Sequence, residues 1–118
     1  TLTGTTLGTP KWMSPEQAAG EATTPATDVW AIGLLAFYML TGKSFWLASR
    51  ASDDTISLLR EILHAPIPIA WARAIELEAV DCIPSGFNEW FAQCVARAPE
   101  DRFVNAGAAY AALASALT

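Results

Sequence analysis

Polar groups able to act chemically gather in three places in this chain. Thr1, Thr3, Thr5, Thr6 and Thr9 put hydroxyls into a stretch that ends in Gly8-Thr9-Pro10; Met13-Ser14-Pro15-Glu16 follows; and Asp28 opens the run Asp28-Val29-Trp30-Ala31-Ile32-Gly33. A threonine hydroxyl both donates and accepts, so Thr9 can bridge two charged groups. A lone threonine in a Gly-Thr-Pro turn is more often satisfied by backbone. Asp28 can orient neighbouring donors without performing chemistry, or simply complement a helix N-terminus for about 0.3 to 1 kcal/mol. His64 stands alone at a helix end and receives no role. Cys82 and Cys94 form neither a CxxC nor a cluster with histidine, so they imply no zinc site and no disulfide framework.

The elements that must position these groups are helical. Ser14-Pro15-Glu16-Gln17 has a capping serine, proline at the first helical position and glutamine at the third, with Gly20 placed to end a short helix. Thr27 can cap a helix from Asp28 to about Thr41, which stops at Gly42. Val29, Trp30, Ile32, Leu34, Leu35, Phe37, Tyr38, Met39 and Leu40 leave that helix no polar face, which predicts enclosure on all sides. Ser52, Asp53 and Asp54 open an amphipathic helix with Leu58, Leu59, Ile62 and Leu63 on one side. An irregular stretch bracketed by Pro66, Pro68 and Pro84 contains a helical segment around Trp71 to Val80. Phe87, Trp90, Phe91, Cys94 and Val95 then recur with helical spacing, and Phe103, Ala106, Tyr110, Leu113 and Leu117 suggest a stripe on a last helix.

Composition narrows the partners. The 118 residues are 53% hydrophobic and 16% charged, which excludes a disordered tail and predicts a mostly α domain with a core of modest size. A formal net charge of −5 with seven scattered basic residues gives no footprint for nucleic acid. The longest apolar run, Val29 to Leu40, is shorter than the roughly 20 residues that cross a bilayer, so no membrane segment is expected here. Two lone thiols suggest a cytoplasmic domain, with any anchor lying elsewhere in a longer protein.

The motifs resemble the activation-segment end and helical C-terminal lobe of protein kinases, and Gly42-Lys43-Ser44-Phe45-Trp46 is similar to a bacterial branch of the serine/threonine family. The resemblance implies the helical lobe of the α+β kinase fold, beginning within the activation loop, without the ATP-binding lobe and catalytic loop. Residues 1–20 would be activation segment and substrate platform, and 21–118 helical scaffold. Gly8, Thr9, Pro10 and Trp12 would form the platform under a protein substrate, with Trp12, where the family usually has tyrosine, and Lys11 shaping the pocket beside the phosphoacceptor. Alternatively, Trp12 merely anchors the loop.

Thr9 would contact the catalytic aspartate and lysine of the missing loop. Glu16 would pair with Arg102, although Ser14 and Ala98 depart from the family's alanine and aspartate; the alternative is two solvated charges worth under about 1 kcal/mol. Asp28 would accept from the catalytic-loop backbone, while Trp30 and Gly33 would pack the core. Thr1, Thr3, Thr5 and Thr6 occupy positions of activating phosphothreonines, and a phosphate there would add about −1.5 to −2 charges.

By this resemblance the full-length protein transfers the γ-phosphoryl group of Mg-ATP to protein hydroxyls, with partners in its protein substrate and the remainder of the kinase domain. The chain alone would bind neither ATP nor Mg2+, would be inactive, and would tend to aggregate through its partly bare central helix. A pseudokinase or truncated product that only binds partners is the alternative function. An unrelated helical interaction domain would explain the stripes but not the paired motifs.

Overall fold

The computed structural model describes residues 10–48 and 55–117. Its α-helices are α1 Pro15–Ala18, α2 Pro25–Thr41, α3 Thr55–His64, α4 Ala70–Glu76, α5 Phe87–Cys94 and α6 Ala106–Ala116. Short 3-10 turns occupy Pro10–Trp12, Val80–Cys82 and Pro99–Asp101, and no strand occurs among the described residues.

Local chemistry sets the helix starts. Ser14 Oγ accepts from the Gln17 amide at 3.2 Å while Gln17 Oε1 accepts from the Ser14 amide at 3.0 Å, the reciprocal cap expected for α1. The start of α2 differs from the sequence expectation. Thr24 is its N-cap, Pro25 is its first residue, and Thr27 lies one turn inside, where its hydroxyl accepts from the Thr24 amide at 3.0 Å. The fixed φ of proline suits the first helical position, so Thr24 rather than Thr27 takes the boundary. Gly42 ends α2 at φ 74, a left-handed conformation that glycine adopts without a Cβ penalty.

The core forms where α2 crosses α5. Val29, Trp30, Gly33, Leu34 and Phe37 are buried on α2, and Phe87, Trp90, Phe91 and Cys94 on α5. A Cβ at Gly33 would stand 2.6 Å from Cys94 Cβ, so only glycine permits this crossing. Phe45 packs edge-on to Phe37 at 5.1 Å and lies 5.0 Å from Phe91, while Trp46 stacks on Trp30 at 6.0 Å. The loop after Gly42 thereby fills the core with its aromatics.

One predicted face is corrected, that of α6, while α2 has the partly bare side expected of the chain alone: Asp28, Leu35, Tyr38 and Met39 are exposed, Met39 by 75%. These residues recur at helical spacing and face away from α5, so the described helices bury only one side of the all-apolar rod. On α6 the packed residues are Ala109, Ala112, Leu113 and Ala116, whereas Tyr110 is 74% exposed and Ala106 and Leu117 are also exposed. Small side chains bring α6 close enough for Trp90 Nε1 to donate to the Ala109 carbonyl at 2.8 Å, and a tyrosine on that face would not fit. The amphipathic α3 buries Leu58 and Ile62 and turns Arg60 and His64 to solvent.

Candidate functional site

The ledge formed by Pro10–Trp12 and α1 is held from three directions. Trp46 Nε1 donates to the Lys11 carbonyl at 3.0 Å, and the Met13 amide donates to the Pro10 carbonyl at 3.0 Å. Trp12 is half-buried against the core and meets Tyr38 edge-on at 6.0 Å. The Lys11 ammonium sits 5.5 Å from the Trp12 ring and 5.8 Å from the Tyr38 ring, close enough for cation–π attraction.

The third hold is an ion pair beneath the ledge. Arg102 Nη1 donates to Glu16 Oε2 at 2.7 Å and Arg102 Nη2 to Glu16 Oε1 at 2.8 Å, a two-pronged fork between side chains 86 residues apart. The remaining Arg102 donors reach the carbonyls of Ala96 (2.7 Å), Ala26 (3.1 Å) and Arg97 (3.2 Å). All five guanidinium N–H groups are thus engaged, which a buried arginine requires because each unpaired donor would carry its full desolvation penalty. Thr27 Oγ1 adds a third hydrogen bond to the carboxylate, donating to Glu16 Oε2 at 2.8 Å. Burial pushes the Glu16 carboxyl up, but hydrogen bonds from Arg102 and Thr27, a backbone hydrogen bond and the Arg102 charge outweigh it and hold the group at about 2.

Around this pair the core is tuned to the cation. The Arg102 guanidinium lies 5.2 Å from the Trp30 ring, and the Trp30 indole N–H is buried without a hydrogen-bond partner among the described residues. Burial pushes the Cys94 thiol up to about 12, against the lowering influence of Arg102, which keeps it protonated and chemically inert.

Asp28 projects at the first turn of α2, exposed, beside the bare stripe formed by Leu35 and Met39. The structure therefore joins Pro10, Lys11, Trp12, Glu16, Trp30, Gly33 and Arg102 into one body and leaves Asp28 at its edge. Thr1, Thr3, Thr5, Thr6, Gly8 and Thr9 lie outside the described residues.

A second polar network was not legible in the sequence. Glu61 on α3 accepts from the amides of Leu47 (3.1 Å) and Ala48 (2.9 Å) and pairs with Arg73 Nη1 at 3.4 Å. Arg73 also bonds Glu76 at 2.8 Å, reaches the Phe45 carbonyl, and places its guanidinium 4.5 Å from the Phe45 ring. Arg97 donates to the carbonyls of Ile62 (2.9 Å), Glu61 (3.1 Å) and Ala65 (2.6 Å), closing the C-terminal end of α3. Burial lowers the Arg97 pKa. Lys43 Nζ donates to the Leu77 carbonyl at 2.8 Å. Most of these bonds end on backbone carbonyls or amides, whose positions depend on the fold and leave no mark in residue type.

The family described as protein kinase domain matches residues 2–112. Serine/threonine-protein kinase PknL of Mycobacterium tuberculosis is 34% identical over 106 residues, which cover 90% of this chain and 24% of that protein. The mitogen-activated protein kinase kinase MST7 of Pyricularia oryzae is 30% identical over 108 residues, 86% of this chain and 24% of its own length. A serine/threonine-protein kinase of Corynebacterium efficiens, drp72, is 46% identical over 61 residues, covering 52% of this chain and 12% of its own length. The chain spans about a quarter or less of these relatives. With the paired motifs, the helical architecture of the described residues and this match over nearly its whole length, the chain belongs to the protein kinase domain family, of which it carries the helical C-terminal lobe.

Proposed function

We propose that this chain is the substrate-docking segment and scaffold of a serine/threonine kinase that transfers the γ-phosphoryl group of ATP to protein hydroxyls. In this reading residues 1–20 are the activation segment and 21–118 the supporting lobe. The observation that carries it is the Glu16–Arg102 fork, which fixes the ledge to the body of the lobe while leaving Trp12 and Lys11 at the surface of the core. Binding energy in a kinase is used chiefly for positioning, so a ledge held on a rigid, buried pair suits the orientation of a peptide.

ATP and Mg2+ are the family's co-reactants, and in this reading residues outside the described set bind them and carry phosphoryl transfer. Asp28 together with the bare stripe of α2 is then the surface that the remainder of the kinase domain would cover. Thr1, Thr3, Thr5 and Thr6 are the phosphorylation sites in this reading, and a reducing, cytoplasmic compartment suits the two free cysteines. No described helix is long and apolar enough to cross a membrane.

Incubating the purified chain with labelled Mg-ATP and a protein acceptor, beside the longer protein that contains it, tests the division of labour. The expected result is transfer by the longer protein and none by the chain. Incorporation by the chain alone, or none by the longer protein with the ledge intact, overturns the reading.

A further inference from the structure

Charge is sparse around the ledge, and one cation there has no counter-ion. Lys11 is the only charged residue among the first fifteen, Glu16 is the one acid of α1, and Asp28 is the only charged residue on α2. Pro10–Trp12 packs against α2 and α3, so few acids could face the Lys11 side chain. Asp28 precedes Tyr38 by ten residues, about 15 Å along the helix axis at 1.5 Å per residue. Glu16 is committed to Arg102 and Thr27, and Glu61 on α3 to Arg73 and two backbone amides. No carboxylate among the described residues pairs with Lys11.

Most other cations are engaged. Lys43, Arg73, Arg97 and Arg102 donate to carbonyls or carboxylates, while Arg60 lies exposed on α3. Lys11 differs from Arg60 in being half-buried and seated. Its ammonium stands 5.5 Å from the Trp12 ring and 5.8 Å from the Tyr38 ring, in the corner of two rings that meet at 85°. Its backbone is tied down by Trp46, whose Nε1 donates to the Lys11 carbonyl.

Ring faces attract the charge of an ammonium without supplying lone pairs, so its three N–H donors still call for an acceptor. A freely swinging lysine loses rotamer freedom when it pairs, which cancels much of the Coulomb gain. A lysine already seated loses less, and an incoming anion keeps more of the attraction.

We propose that Lys11 selects a carboxylate in the substrate: an aspartate or glutamate flanking the phosphoacceptor seats on the Lys11 ammonium, beside the Trp12 and Tyr38 rings. This rests on the reading of the ledge as the platform under a peptide, and adds the class of peptide that it takes. The formal net charge of −5 works against acidic peptides in general, so the preference belongs to one flanking position and not to overall acidity.

Steady-state phosphoryl transfer by the longer protein containing this chain tests the proposal, with threonine peptides that carry aspartate, asparagine or lysine at each flanking position in turn. At one position aspartate is expected to exceed asparagine by about threefold or more in kcat/KM, with lysine below both, and the ratio should shrink as salt rises. Lys11→Arg is expected to keep that ratio, Lys11→Met to bring it near one, and Lys11→Glu to favour lysine over aspartate. Each ratio is taken within one variant, so a loosened ledge that slows every peptide alike leaves it unmoved. Equal use of aspartate and asparagine at every position, or a ratio that survives Lys11→Met, overturns the inference and leaves the platform reading standing. Transfer to none of the peptides by the longer protein overturns both.

Discussion

The two charge networks of this lobe do comparable work by opposite means. Beneath the ledge, Glu16 and Arg102 meet as side chains in a two-pronged pair with every donor engaged. Around α3 and α4, Glu61, Arg73 and Arg97 mostly grip backbone, closing a turn at Leu47 and Ala48 and the C-terminal end of α3. The first network joins elements far apart in sequence, and losing either partner leaves a buried charge without its counter-ion. The second spreads its load over neutral acceptors nearer solvent, so each contact matters less. Placement, more than the count of ion pairs, decides which network governs stability.

Arg102→Ala should break this contrast most severely if it is mistaken. It leaves Glu16 buried and unpaired, with an expected loss of about 3 to 5 kcal/mol in thermal or denaturant unfolding of the protein containing this chain. A loss no larger than that of the exposed Arg60→Ala would remove the distinction between the networks.

Acid titration sharpens the same point. The folded Glu16 carboxyl is held below its ordinary value, so its stabilising contribution is fully present above about pH 4.5 and is lost as pH falls toward about 2. The depression corresponds to about 3 kcal/mol. Unfolding measured across that window should lose stability in the native protein beyond what Glu16→Gln loses, and parallel curves would rule the contribution out.

Glu61→Gln should have an intermediate effect, about 1 to 2 kcal/mol, because one amide acceptor survives while the charge opposite Arg73 is lost. Hydrogen exchange should quicken at Leu47 and Ala48 and not at Gln17; the reverse pattern would mean that the α3 network does not hold this turn. Asp28→Asn should be the smallest in stability, about 0.3 to 1 kcal/mol from the helix N-terminus alone. In the longer protein it should nevertheless lower kcat. An unaltered kcat would make Asp28 a surface charge and nothing more.

The difference between the networks also explains what could be read before the fold was seen. Glu16 and Arg102 lie in short runs whose residue types and spacing carry a family resemblance, and the cap at Ser14 and the stripe from Phe87 to Val95 follow from local periodicity. Gly33 was legible as a core position, although its neighbour Cys94 was not. The Arg97 and Lys43 contacts had no signal, because a carbonyl acceptor has no residue identity. The stripe assigned to the last helix failed at Tyr110 since alanines, not large apolar residues, allow α6 its close approach.

By itself the sequence determined the helical character of the chain, the ends of α1 and α2 to within a turn, and the two motifs that place it among protein kinases, since caps, periodicity and motif spacing are properties of neighbouring residues. Tertiary structure alone decided which backbone carbonyls complete the set of acceptors around Arg102, that Arg97 and Lys43 grip carbonyls of distant elements, and that alanines and not Tyr110 face the core from α6. Those outcomes depend on which elements pack together, and packing is set by the whole chain at once.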